Sequence, residues 1–173
     1  MAKRANTFLT GLVSLYISLD GRIRRSEYWL GGIALNFVQV VLGFLLMGLV
    51  GFTSPAAQGV ALALKWVFFW PGFALMVKRG HDRGRSAWVS VAFIGALFTG
   101  ALFAAPAKVL YGQIVEWVLG IPLLLMGLFL FVDYGFLDGD PGRNRYGPSP
   151  KNPDAGRPLS FDDDALPDGS ASA

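Results

Sequence analysis

The sequence predicts an all-α, polytopic membrane protein: four transmembrane helices preceded by an amphipathic interfacial helix. Three observations predict it. Hydrophobic residues make up 53% of the 173 and charged residues only 16%, against about 25% charged in a soluble domain. Charge is absent from three long runs, residues 28–64, 87–107 and 117–132, a pattern that hydrocarbon imposes and a soluble core does not. Of the 15 basic residues, 13 fall in three segments that leave the first-to-second and third-to-fourth connections almost free of cations.

Residues 1–27 form the N-terminal segment. Lys3 and Arg4 precede an apolar stretch from Phe8 to Leu19, which superficially resembles a secretory signal. No small-x-small cleavage site follows, only Asp20-Gly21-Arg22. Thr10, Ser14 and Ser18 repeat every four residues, opposite Phe8, Leu12, Leu15, Tyr16 and Leu19. That is helical amphipathicity, and it predicts a helix lying in the membrane interface.

Residues 28–136 hold the membrane domain, with spans at about 28–51, 56–77, 87–105 and 114–134. Between Leu30 and Val50 stand 13 residues of Leu, Ile, Val or Phe, which favour insertion by about 4 to 8 kcal/mol before polar residues are counted. Asn36 and Gln39 share a helix face, expected to point into the bundle where amides find partners. The second span carries Lys65 and Pro71-Gly72; proline removes a backbone donor and crowds the Val67 carbonyl, so a kink is expected. Ala92, Ala96, Gly100 and Ala104 recur at four-residue spacing on the third span. They form a groove for close approach, by the chain's own helices or by a second copy. The fourth span carries Gly120 and Pro122. Ser26 and Ser86 each precede a span and are good N-cap types. Residues 137–173 read as a tail, mostly disordered after about 151, where Gly, Pro, Asp and Ser dominate.

Cations stay on the cytoplasmic side of short loops. Four spans with both termini cytoplasmic satisfy this rule, and three spans do not. Residues 1–136 carry a net +6 and residues 137–173 a net −3. A basic membrane-facing core suggests anionic lipid as partner, not nucleic acid. Absence of cysteine excludes disulfides and thiolate metal sites.

Three constellations bear chemistry. Lys65 and Glu116 are intramembrane charges whose ends can meet near the outer face, as an ion pair or as part of a transport path; the alternative is that each reaches headgroups or water alone. The stretch Lys78-Arg79-Gly80-His81-Asp82-Arg83-Gly84-Arg85-Ser86 sets four cations beside the one histidine and an aspartate. It reads either as a phosphate-recognising segment or as an interfacial loop that pairs internally. His81 and Asp82 are adjacent and lack a nucleophile, so no catalytic pair is evident. One histidine with one carboxylate also falls short of a metal site, and no cofactor is expected. Arg22, Arg24 and Arg25, and Asn144 and Arg145, lie on the same expected side. With Arg79, His81, Asp82 and Arg85 they are the candidate lipid- or partner-binding residues. Asp20, Glu27, Asp82 and Asp133 are available as internal partners.

Gly21-Arg22-Ile23-Arg24-Arg25-Ser26-Glu27-Tyr28-Trp29, Arg79-Gly80-His81-Asp82-Arg83-Gly84-Arg85-Ser86-Ala87-Trp88 and Gly142-Arg143-Asn144-Arg145-Tyr146-Gly147-Pro148-Ser149-Pro150 occur in this order. Over about residues 15–150 the chain resembles the bacterial domain-of-unknown-function 805 family, the YhaH-like inner-membrane proteins. The resemblance implies a four-span bundle in the bacterial inner (plasma) membrane, with these motifs on the cytoplasmic side, and implies no activity. Lys78, Gly80, Arg83 and Ala87 depart from the family's loop pattern. Gly80 in place of an apolar anchor implies a more mobile loop. The function expected is non-enzymatic: an arginine-rich cytoplasmic cap binding anionic lipid headgroups or a protein partner, which includes a second copy. The alternative is a small transporter or channel subunit using Lys65 and Glu116.

Overall fold

The computed structural model describes residues 10–112 and 114–153, apart from the side chains of 101–108, 110, 111 and 116. Five helices follow in order among them: α1 at 10–16, α2 at Arg25–Val50, α3 at Pro55–Asp82, α4 at Ala87–Tyr111 and α5 at Ile114–Gly135. The segments 28–50, 55–77 and 117–135 lie inside α2, α3 and α5, each of which is long and apolar enough to cross a membrane. In α4 the apolar stretch among fully described residues is the shorter Ala87–Gly100.

Each boundary has a local cause. Ser54 caps α3, its Oγ accepting from the Ala57 amide at 3.2 Å, with Pro55 at the first helical position where no donor is missed. Gly51, at φ +85, closes α2 with a backbone that side chains resist. Ser86 accepts the Trp88 amide at 3.1 Å and starts α4, as its residue type predicts. Ser26 does not cap α2. That helix begins earlier, at Arg25, because the Glu27 carboxylate reaches back to the Arg24 amide at 2.8 Å.

Glycines set the packing distances. The α2–α3 seam closes where Gly31 faces Leu75 and Gly43 faces Leu64, and α4 meets α5 where Gly100 faces Leu123 and Gly127 faces Phe93. The small-residue stripe of α4 therefore serves the chain's own α5 at Gly100. Trp66 of α3 stacks on Phe98 of α4, and Phe69 meets the same ring edge-on. The helices run up and down, so the start of α2, the end of α3, the start of α4 and the end of α5 share one end of the bundle. Residues 10–24 and 136–153 gather there too, and form a polar cap.

Three expectations change. Asn36 and Gln39 do not point into the bundle; they line an outward-opening groove between α2 and α3, because glycine–leucine contacts fill the seam. α3 does not stop at Val77 but runs unbroken through Pro71 to Asp82. Lys78 to Asp82 are thus its last turn, not a loop. Gly80 is not a point of mobility: a Cβ there would stand 2.8 Å from Tyr134 Oη, so glycine is what lets α5 approach. Residues 137–153 are folded against the cap. The disorder expected beyond about 151 falls chiefly on residues outside those described.

Candidate functional site

The cap is organised around one carboxylate. Asp82 ends α3 with its side chain 5% exposed, and receives Arg22 at 3.0 Å and Arg79 through a second oxygen. Arg22 itself is 1% exposed. Its remaining donors go to three backbone carbonyls of the segment after α5: Asp140 at 2.5 Å, Gly142 at 2.7 Å and Gly147 at 3.2 Å. One planar guanidinium thus joins all three sequence motifs. Only a forked donor set bridges a carboxylate and three carbonyls at once.

Arg79 does the same for the end of α5, donating to Tyr134 O at 2.7 Å and to Leu137 O. The first is a carbonyl that a helix C-terminus leaves unsatisfied, and the second lies just beyond α5. Arg83 and Arg85 converge on Asp133. Arg85 Nε donates to its Oδ2 at 2.6 Å, and Arg83 to its Oδ1 at 3.1 Å. The hydrogen bond to Asp133 holds the Arg85 guanidinium above its ordinary pKa. Arg85 also lies over the Phe129 ring at 5.1 Å.

The third motif is locked from within. Asn144 donates to His81 O at 2.9 Å and to Asp140 Oδ2 at 3.0 Å, and accepts from the Tyr146 amide at 2.9 Å. The Asp140 amide donates to Asp82 O at 2.8 Å. Tyr146 stacks on His81 with ring centres 3.7 Å apart. His81 faces Gly21 O through Nδ1 at 3.2 Å, so it serves as a packing element between the first and third motifs.

Other side chains remain open to solvent. Arg25 is 54% exposed, with only long contacts at 3.5 Å to Phe136 O and Asp138. Arg24 is exposed and donates to Pro150 O. Arg145 is exposed over the Tyr146 ring at 4.8 Å. Lys151 reaches Asp138 at 2.7 Å, and that hydrogen bond holds the Asp138 carboxyl below the usual carboxylate range.

Asp82 and Asn144 are latch elements together with Arg22 and Arg79, and Arg85 is paired nearby on Asp133. Lys65 stands apart, mid-way along α3. The side chain of Glu116, and with it the expected ion pair, lies outside the described residues.

Sequence reasoning missed Lys78, which is buried and donates to Ser14 O and Leu15 O, fastening the end of α1 to α3. It also missed Asp140 and Tyr146. The available signal for Lys78 was its place as the first charge after the apolar run that follows Lys65. Backbone carbonyl acceptors leave no such trace.

The family described as "Protein of unknown function (DUF805)" matches residues 16–148, which covers the first two motifs, the third as far as Pro148, and the helices between them. The chain belongs to this family. Its DUF805 relatives in Escherichia coli K12 include the inner membrane protein YhaH, 28% identical over 137 residues, covering 79% of this chain and 89% of that protein. The uncharacterized protein YiiR is 34% identical over 133 residues, covering 75% and 84%. The inner membrane protein YhaI is 27% identical over 144 residues, covering 79% and 88%. No solved structure matches. With its apolar helices, this DUF805 chain is a multi-pass protein of the bacterial inner membrane.

Proposed function

We propose that this DUF805 protein is a non-catalytic, four-span membrane protein with both termini cytoplasmic. Its cap is latched shut by buried arginines and holds anionic phospholipid through the exposed ones. The length of α4, 25 residues or roughly 37 Å at 1.5 Å per residue, supports a fourth span. The gathering of cations at one end of the bundle supports the orientation.

The observation that carries the lipid reading is the position of Arg25. It lies on the same face of α2 as Trp29, Gly32 and Asn36, residues that line a groove of about 620 Å³ reaching up α2 towards Val40. Gly72 and Leu75 of α3 form its other wall. A half-free guanidinium at the mouth of an apolar groove suits a phosphate with one acyl chain laid above it. Exposed cap cations Arg24, Arg25, Arg143, Arg145 and Lys151 outnumber exposed carboxylates Asp20, Glu27 and Asp138 among the described residues.

Native mass spectrometry of the detergent-solubilised protein tests this. Phosphatidylglycerol should be retained over phosphatidylcholine. Arg25→Ala should reduce that preference about fivefold, as expected for one interfacial cation, and Gly32→Leu should reduce retention by filling the groove. Equal retention of both lipids, unchanged by Arg25→Ala, would refute the lipid reading. Reporter tags emerging on opposite sides would refute the four-span topology.

A further inference from the structure

Away from the cap, one groove collects three polar side chains, two of them without a partner among the described residues. On the far half of the α2–α3 seam a groove of about 450 Å³ is lined by Asn36, Gln39 and Lys65, with Val40, Phe44 and Leu64 as apolar walls. Asn36 donates back to Gly32 O at 2.9 Å, which satisfies one of its hydrogens within its own helix. Gln39 and Lys65 form no hydrogen bond or ion pair with any described residue. The groove floor is closed, since a Cβ on Gly43 would stand 3.4 Å from Leu64. The chain's own helices are already in contact beneath it.

The depth matters. Lys65 lies about 18 Å along the helix from Val77, in a hydrocarbon core of roughly 30 Å. Its stem leans towards the start of α3 and gains several Å, which still leaves the ammonium within the apolar layer. A cation there is costly and is normally paired. A second amide-bearing helix face at the same depth makes the site a two-point one.

We propose that this groove seats a transmembrane helix of a partner protein, which brings an Asp or Glu carboxyl to Lys65 and a hydrogen-bonding group to Gln39. Charge decides among occupants. A second copy across a two-fold axis presents the same groove residues, none of them a carboxylate, and leaves the charge uncancelled. A phospholipid phosphate sits at the boundary and must sink to reach Lys65. A carboxyl-bearing helix supplies the charge that no described residue brings to Lys65, at the right depth, and the apolar walls accept its flanking residues.

The probe is a polyleucine transmembrane peptide of about 21 residues, carrying either a central Glu or none. The protein carries a donor dye at Thr53→Cys, beside the groove's outer end, and has no cysteine of its own. Förster transfer to dye-labelled peptide is read in phosphatidylcholine vesicles at about pH 8, which favours ionisation of the carboxyl. The Glu peptide should associate about fivefold to thirtyfold more tightly than the plain peptide. That preference should vanish in Lys65→Met, persist in Lys65→Arg and weaken in Gln39→Leu. Equal association of both peptides, or a preference that survives Lys65→Met, overturns the proposal. So does loss of the preference on adding phosphatidylglycerol, which would assign Lys65 to a headgroup. Lys65-dependent transfer between two labelled copies of the protein overturns it in favour of a dimer.

Discussion

Removing the Arg22 guanidinium is the most informative perturbation of the cap. In Arg22→Met the apolar stem survives, while Asp82 loses one of its two cations and the carbonyls of Asp140, Gly142 and Gly147 lose their shared donor. Breaking a buried pair by removing one partner costs about 3–5 kcal/mol. Water can reach the 140–147 segment once it loosens, so the lower end, about 3 kcal/mol, is the better figure. Most of that falls on the docking of this segment, because among the described residues no other side chain of the first motif reaches the carbonyls of residues 140–147. An opening equilibrium shifted by about 3 kcal/mol raises the open fraction roughly a hundredfold. Trypsin reports it directly: Arg143 and Arg145 lie in the segment, and cleavage of a briefly opened state follows its population. Cleavage after these residues should therefore accelerate by about two orders of magnitude in Arg22→Met. Arg22→Lys should fall between, since one ammonium restores the charge but not the fork. An unchanged rate in Arg22→Met would refute the reasoning that one guanidinium holds three motifs together.

Gly80→Ala should lower the melting temperature in detergent by the equivalent of about 1–3 kcal/mol, the usual cost of overpacking, and Tyr134→Phe in the same chain should recover part of it, because the contact at 2.8 Å is with the hydroxyl. Lys78→Met should free α1: a spin label at Val13→Cys, in a chain without cysteine, should become more mobile as the Ser14 and Leu15 carbonyls lose their donor. Lys151→Ala should leave the melting temperature unchanged, since both partners of the Lys151–Asp138 pair are more than half exposed and such pairs contribute little; a clear drop would show that the tail is held at Lys151.

The architecture was legible because hydrocarbon imposes strong rules. Uncharged runs placed the helices, and cation placement grouped the three motifs on one side. What the sequence could not settle was the choice between phosphate recognition and internal pairing. It depends on how many donors of each arginine find acceptors. Most of those acceptors are main-chain carbonyls at helix ends and turns, such as Tyr134 O for Arg79 and Gly142 O for Arg22. Residue identity does not reveal them. The sequence favours a loop at Lys78–Asp82 where the structure has a helical turn, for a related reason. Its charges signalled the end of the hydrocarbon, and the helix continues past that boundary because those charges have partners there. Gly80 misled in the same way: a glycine near a membrane boundary suggests freedom, and here it marks a close helix contact. Asn36 and Gln39 were rightly placed on one face. The seam they were expected to fill was already closed by glycine against leucine.

Hydrogen–deuterium exchange of the protein in lipid nanodiscs, read over residues 138–150, tests most directly whether the segment after α5 is part of a folded cap. The amides of Asp140, Asn144, Tyr146 and Gly147 all donate within the protein, so their exchange should be slowed by at least about a hundredfold, and the slowing should shrink by about a hundredfold in Arg22→Met. Exchange of these amides at the rate of an unstructured peptide in the unaltered protein would contradict the account.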